Sequence, residues 1–437
     1  MNKVKNPHKI WLDAKSKILG GNSLFSKNPD LYLPEGWPTY YKKAKGVYIW
    51  DLNNKKYIDM SNMSVGACVL GYDRREVTSF VTKGIKNGNM STLNSYEEYL
   101  LANRLLDLHN WAGMVKFARS GGEANVIAIR IARSFAKSNK VAICGYHGWH
   151  DWYLSAALNK NDNLDSHLMR DLKFKGVPEF LKNTTFPFIY GNYEQFKELY
   201  KKEKFGIVKM EVCRSTKPDV KYLKKIRSFC NKNKIVLIFD ECTTGFRECL
   251  GGLHKLINVN PDIVVYGKAL GNGHPITAVV GKKKIMNCSD KTFISSTFWT
   301  ERSGYCAALK TIEIMKKEKS HSKVIKNGNK IRKIWNDLSN KHSLDIEISG
   351  ITSLSILTFK SKFNDKFKTF LTQEMLKSNI LASNGFFSSA CHTDYHFKVY
   401  KKALDKIFQK LKKIKTENEI DKLLKYKVAQ TTFRRMN

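Results

Sequence analysis

Two short apolar runs in the middle of the chain each end in a group that can do chemistry. Ile235 to Phe239 is continuous and largely β-branched, reads as a strand buried on both faces, and delivers Asp240 and Glu241 at its carboxyl end. Ile263 to Tyr266 delivers Lys268 in the same way. In open α/β sheets ligands collect beyond the carboxyl ends of the strands, so an acid and an amine arriving there share one crevice. A lysine to form a Schiff base and an aspartate to keep a pyridinium nitrogen protonated are what pyridoxal phosphate (PLP) asks of a protein. Neither residue is informative alone. Lysine is abundant throughout this chain, and an aspartate at a strand end also serves as a helix cap.

A second constellation lies upstream. Ser120, Gly121, Gly122 and Glu123 follow a short strand, Val115 to Ala118, and precede the helical run NVIAIRIARSFAK. Adjacent glycines let a ligand approach the backbone, and a helix N-terminus offers free amides and a positive dipole end, a combination suited to phosphate. The same glycines also serve as an ordinary strand-to-helix turn. After the next strand, Val141 to Cys144, the run GYHGWHDW (Gly145 to Trp152) gathers Tyr146, His147, Trp149, His150 and Trp152. Such aromatics are either core or a flat platform for a cofactor ring.

The elements that must position these groups alternate as a parallel sheet requires. Gly206 to Val212 reads as a strand ending at Glu211, and Lys221 to Asn231 as a helix feeding the Ile235 strand. Thr277 to Gly281 reads as a further strand, and the polar and aromatic loop Ile294 to Gly304 precedes a helix over Tyr305 to Lys316. Upstream, Leu93 to Leu108 has helical spacing, and Gly46 to Met60 reads as two strands around an Asn53-Asn54 turn. The first 45 or so residues read as an N-terminal arm, with a helix near Lys9 to Leu19. From about residue 320 the pattern changes to a lysine-rich helix, strands at Leu344 to Ile348 and Leu354 to Phe359, and helices at Asp365 to Leu376 and from Tyr395. The expected division is 1–60 as an arm and part of a small domain, 61–318 as a large cofactor-binding domain, and 319–437 as a C-terminal α+β domain.

With 437 residues and 42% hydrophobic content the chain can bury full cores. No apolar run reaches the ~18 residues that would span a bilayer, and the N-terminus lacks the apolar core and small-residue cleavage site of an export signal. A cytoplasmic location is expected. Nine scattered cysteines without a CxxC pair argue against a disulfide framework or a zinc site, so no metal is expected. The net charge of +37 invites a nucleic-acid reading, but the lysines are spread along the whole chain and no recognition module accompanies them. Attraction of anionic small molecules is the expected use, and nucleic acid is not an expected partner.

Four ordered motifs, SGGEA (Ser120 to Ala124), GYHGWHD (Gly145 to Asp151), IFDECTTGFR (Ile238 to Arg247) and GKALGNGHPI (Gly267 to Ile276), together resemble the class III aminotransferases, and within them the glutamate-1-semialdehyde aminomutase branch. The resemblance covers roughly residues 15 to 410. It implies PLP fold type I, with a mostly parallel seven-stranded sheet in a large domain and a smaller α+β domain, working as a homodimer. It further implies that Lys268 holds the cofactor and shuttles a proton, and that Asp240 sits beneath the ring nitrogen. Gly121 and Gly122 match the phosphate cradle, where the family often has Gly-Thr, so one hydroxyl contact is missing here. Tyr146 matches the aromatic that stacks on the ring, and Thr297 the threonine that reaches the partner's phosphate. Glu211 and His147 match pocket positions.

The substrate end departs from the aminomutase pattern. The arm stretch GGNSLFSKNP (Gly20 to Pro29) lacks the arginine that binds a substrate carboxylate there, and an acidic residue expected in the C-terminal pocket is absent from SNGFFSSACHTD (Ser383 to Asp394). Arg302, Lys27 and His392 are the remaining candidates for holding an anion. The activity implied is transfer of an amino group between an amino acid or amine and a carbonyl compound, with intramolecular 2,1-exchange as the alternative.

Overall fold

A computed structural model describes residues 7–159, 175–213 and 216–430; the first six residues of the expected arm lie outside them. The chain divides into two compact units, one of Met1–Arg74 with Ser322–Thr431 and one built mainly of Arg75–His321.

The first unit opens with the helix Pro7–Lys17 and the strands β1 (Tyr41–Lys45), β2 (Tyr48–Asp51) and β3 (Lys56–Asp59). The second contributes β4 (Met114–Ala118), β5 (Val141–Cys144), β6 (Thr185–Pro187), β7 (Ile207–Glu211), β8 (Val236–Glu241), β9 (Ile263–Tyr266) and β10 (Thr277–Gly281). The chain then returns to the first unit with β11 (Ile346–Ser349), β12 (Leu354–Phe359), β13 (Ile380–Leu381) and β14 (Gly385–Phe387). There, β13 joins the N-terminal strands by pairing parallel to β3, and the helix Ser320–His342 packs Trp335 against Tyr400 of the helix Asp394–Leu411, indole nitrogen to hydroxyl at 2.9 Å.

The second unit holds the expected α/β fold, a seven-stranded sheet in the order β4-β10-β9-β8-β7-β5-β6. Only β10 runs against its neighbours; β9, β8, β7, β5 and β6 are mutually parallel. The continuous apolar character of β5, β7, β8 and β9 follows from burial on both faces, since all their residues are buried. One face is covered by the helix Gly121–Ala136, whose Ala124, Ile127, Ala128, Ile131 and Ala132 pack into the core beneath the sheet. The reversed β10 lets the chain leave the sheet after β9, make the turn that contains Lys268, and re-enter beside it.

Candidate active site

Asp240 and Lys268 reach the same end of the sheet. Asp240 ends β8 in register with Val265 of β9, and Lys268 follows β9 within a short 3-10 turn. The Lys268 Nζ donates to the Thr243 hydroxyl at 2.9 Å, so the amine lies over the turn that leaves Asp240. Lys268 itself has φ +44°, a left-handed conformation that costs a non-glycine residue of order 1 kcal/mol and persists only where surroundings impose it.

The Asp240 carboxylate is 4% exposed and tightly furnished. Its Oδ2 accepts from Asn125 Nδ2 (2.9 Å) and His147 Nδ1 (2.9 Å), its Oδ1 accepts from the Cys242 amide (3.1 Å), and the Lys209 ammonium stands 3.7 Å from Oδ2. Burial alone would raise this carboxyl, but Lys209 and the His147 hydrogen bond outweigh it and hold the group well below the usual carboxylate range. Burial also pushes the His147 imidazole below its ordinary value, which assigns a neutral ring with the proton on Nδ1. Asn125 further donates to the His147 carbonyl at 3.0 Å, tying the first turn of its helix to the aromatic loop.

The glycine turn is a capping box. Ser120 accepts from the Glu123 amide, and Glu123 Oε2 accepts from the Ser120 amide (2.7 Å) and the Arg119 amide (3.1 Å), which leaves the amides of Gly121 and Gly122 outside the box. Gly122 has a specific reason to lack a side chain: a Cβ there would lie 2.4 Å from Cε1 and 2.8 Å from Nδ1 of His150. The imidazole therefore fills the space where the family often carries a threonine. Its Nδ1 is buried with no hydrogen-bond partner among the described residues, and Trp149 stacks on the ring at 4.5 Å.

Tyr146 is half-buried, and its amide donates to Glu211 Oε2 at 3.1 Å. The same Glu211 explains Gly145, where a Cβ at φ +107° would lie 2.4 Å from that oxygen. Thr297 is exposed and opens the 3-10 turn Thr297–Thr300. That turn is fastened to the phosphate-side motif, because Arg119 donates to the carbonyls of Phe298, Trp299 and Glu301, and Trp299 Nε1 donates to Glu123 Oε1 at 3.1 Å.

Asp240, His147, Glu211, Tyr146, Lys268, Gly121 and Gly122 all lie in the second unit, where Asn125 joins Asp240 to His147, Tyr146 bonds Glu211, and Lys268 bonds Thr243. The anion candidates are placed differently. Arg302 donates to the carbonyls of Asn87 and Gly88 at 3.1 Å each and pairs with Glu97 at 3.1 Å. His392 belongs to the other unit, where Nε2 meets the Asp59 carbonyl at 2.9 Å and Nδ1 accepts from the Ser389 amide at 3.1 Å. The sequence reading assigned no role to Asn125, Lys209, Thr243 or His150. Asn125 and His150 stood inside noted motifs, whereas Lys209 carried only one signal, a charge within an otherwise apolar strand.

The donor set suits PLP. A buried ionised carboxylate whose Oδ1 has a single amide donor matches a cationic ring N–H, and the glycine turn with its orphaned imidazole nitrogen matches a phosphate. The family model described as Aminotransferase class-III matches residues 34–414. The chain belongs to that family. It is accordingly a PLP-dependent enzyme of transaminase or aminomutase type. The class III chain is 29% identical over 407 residues to the 3-aminobutyryl-CoA aminotransferase of Cloacimonas acidaminovorans, covering 90% of this chain and 94% of that one. It is 34% identical over 323 residues to the glutamate-1-semialdehyde 2,1-aminomutase of Nitrosopumilus maritimus, covering 71% and 73%. In fold it is similar to the PLP form of the FumI protein of Sphingopyxis sp. MTA144, with a TM-score of 0.84 at 20% identity over 95% of this chain and 100% of that one. No helix among the described residues is long and apolar enough to cross a membrane.

Proposed function

We propose that this enzyme transfers an amino group from an amine or amino acid to a separate carbonyl compound. The observation that carries the reading is an ionised, buried Asp240 and the Lys268 amine at the carboxyl ends of neighbouring strands. When bound, PLP supplies a conjugated ring that accepts the electron pair left as a substrate C–H bond breaks. Asp240 would hold the ring N–H, while Asn125 and His147 fix the carboxylate's orientation. The amides of Gly121 and Gly122, with His150, would bind the phosphate and Tyr146 would stack on the ring, its backbone anchored by Glu211. Lys268 Nζ would hold the cofactor covalently and would carry the proton to and from the substrate carbon. Its hydrogen bond to the Thr243 hydroxyl positions the amine at the end of the sheet where Asp240 lies.

In this reading the unit spanning Arg75–His321 is the cofactor-binding domain, and two copies of the chain pair so that Thr297 contributes to the partner's phosphate site. Support comes from the exposure of Thr297 and of its neighbour Phe298, 67% exposed, in the turn Thr297–Thr300. Arg302 spends Nη1 on the Asn87 and Gly88 carbonyls and Nε on Glu97, and His392 can donate to an anion only by giving up the Asp59 carbonyl.

The alternative, internal exchange between adjacent carbons, is favoured by the 34% identity to an aminomutase. The missing arginine in Gly20 to Pro29 weighs against it. The deciding experiment incubates the PLP-loaded enzyme with a panel of amino donors and follows conversion of the bound cofactor to its amine form. A donor that converts it without a co-bound acceptor supports transfer, and conversion only by a diamino or amino-aldehyde compound that rearranges in place supports exchange. Lys268→Ala should lose conversion altogether; parental speed in that variant would refute the role given to the lysine.

A further inference from the structure

Lys209 is the one residue around Asp240 that the reaction outlined above leaves without a task. It lies in β7, in register with Ile238 and two residues before Glu211, so its side chain shares a face with Asp240 of the neighbouring strand. It is 0% exposed, and its Nζ makes no hydrogen bond among the described residues. Its ion-pair contact is Asp240 Oδ2 at 3.7 Å, an oxygen already taken by Asn125 and His147.

A buried ammonium without hydrogen bonds is costly, and one carboxylate balances one cation. If the ammonium is the partner of Asp240, the pair is neutral before any cofactor arrives. A protonated ring nitrogen would then add a second positive charge to a closed space that holds a single close carboxylate. The other titratable groups in electrostatic reach of Lys209 are Glu211, His147 and Cys242; of these Glu211 already accepts the Tyr146 amide and His147 is neutral. Burial drives the Lys209 amine toward its neutral form, opposed first by the attraction of Asp240 and then by that of Cys242 and Glu211. The group is poised to lose its proton when that attraction is shared.

We propose that Lys209 is a positioning residue that serves as the counter-ion of Asp240 in the cofactor-free protein and gives up its proton when the PLP ring nitrogen takes its place. The exchange balances whichever way the ring arrives. A ring that arrives protonated brings its own charge, and the Lys209 proton leaves to solvent. A ring that arrives unprotonated takes up one proton as Lys209 loses one. Either way the parent should release about one more proton per site, or take up about one fewer, than a protein without the lysine whose Asp240 is still ionised before the ring arrives. This inference rests on the PLP site proposed above.

The test is calorimetric titration of cofactor-free enzyme with PLP in buffers of different ionisation enthalpy, which counts protons exchanged on binding without measuring turnover. The parent is compared with Lys209→Met, close in length and apolar, and with Lys209→Gln, which keeps a buried hydrogen-bonding group should the first variant fail to fold. The expected result is a difference of about one proton per site between the parent and either variant. Ring-15N-labelled PLP should meanwhile report a protonated nitrogen in all loaded proteins. Equal proton counts, with PLP bound, its visible band formed and no infrared carbonyl band of a protonated Asp240 in the cofactor-free variants, overturn the role of Lys209 and leave the cofactor site standing. Equal counts with that band present show Lys209 to be the group that keeps Asp240 ionised and support it as the counter-ion. Failure of the parent to bind PLP, or a ring nitrogen unaffected by Asp240→Asn, overturns the cofactor site itself.

Discussion

Two aspartates, one in each unit, are both 4% exposed, and their carboxyls are shifted in opposite directions. Asp59, at the end of β3, accepts from the Tyr72 hydroxyl (2.6 Å) and the Ser61 amide (2.8 Å), with the Asn62 and Met63 amides nearby. All of these donors are neutral, and burial raises its carboxyl above the ordinary value despite them. Around Asp240 burial acts in the same direction, but a lysine and a histidine reverse it. The same residue type at the same exposure is thus pushed up in one place and held down in the other. The ammonium of Lys209 and the His147 hydrogen bond, not depth, make the difference.

The comparison breaks most sharply at Asp240. Asp240→Asn keeps the shape but turns one of the two acceptor oxygens into a donor and removes the charge that a ring N–H needs. Turnover should fall by about 10²–10⁴-fold, the kinetic equivalent of the roughly 3–5 kcal/mol lost when a buried charge pair is broken. Steady-state rates with any active donor check this, and a loss within tenfold would sink the assignment. Asp59→Asn, by contrast, should leave the spectrum of bound cofactor unchanged.

Next in size is the phosphate side. Gly122→Thr restores the residue type common in the family but drives its side chain into His150, so affinity for PLP should fall about tenfold or more, as expected for 1–3 kcal/mol of overpacking. Removing the imidazole as well, in Gly122→Thr with His150→Ala, should recover much of that loss in a fluorescence titration. No recovery would mean that the two positions do not share one space.

The smallest effect is in pH dependence. A carboxyl raised on folding gives a contribution that is complete below its unfolded pKa and is lost as pH rises through its folded pKa. For Asp59 the loss therefore begins above about pH 4, the unfolded value of an aspartate. Asp59→Asn lacks this loss, so its stability relative to the parent should improve steadily with pH. Asp240 has the opposite sign: its contribution is present above about pH 4 and is lost as pH falls through its depressed folded value. Urea melts of the cofactor-free protein across pH 4 to 8 would show the two slopes diverging, and parallel slopes would erase the distinction.

The strands that carry the acid and the amine were legible because continuous β-branched runs buried on both faces leave little alternative, and β9 and β10 fall on the residues read from the sequence. The reversed direction of β10 was not legible, since nothing local in Thr277 to Gly281 records which neighbour it pairs with. Nor were β6, only three residues long and ending in proline, and β13, two residues whose partner β3 lies in a distant stretch of chain. The helix Arg75–Lys86 was passed over although Val77, Val81 and Gly84 mark its buried stripe. The site divides similarly. Residues within motifs announced themselves, whereas Asn125 meets Asp240 across 115 positions and Lys209 meets it only through sheet register. Packing of Gly122 against His150 is equally non-local, although a missing side chain in one motif and a surplus ring in another were both visible.

The reversal of β10 also has a mechanical result. From Lys268 the chain doubles back at once, and Thr277, the first residue of the returning strand, donates its hydroxyl to the Ser120 carbonyl at 3.4 Å, at the mouth of the glycine turn. In the proposed site, the Lys268 amine and the glycine turn are therefore two ends of one short bracket. Occupying the cradle braces the amine, so a cofactor analogue without its phosphate should sit loosely at both ends at once.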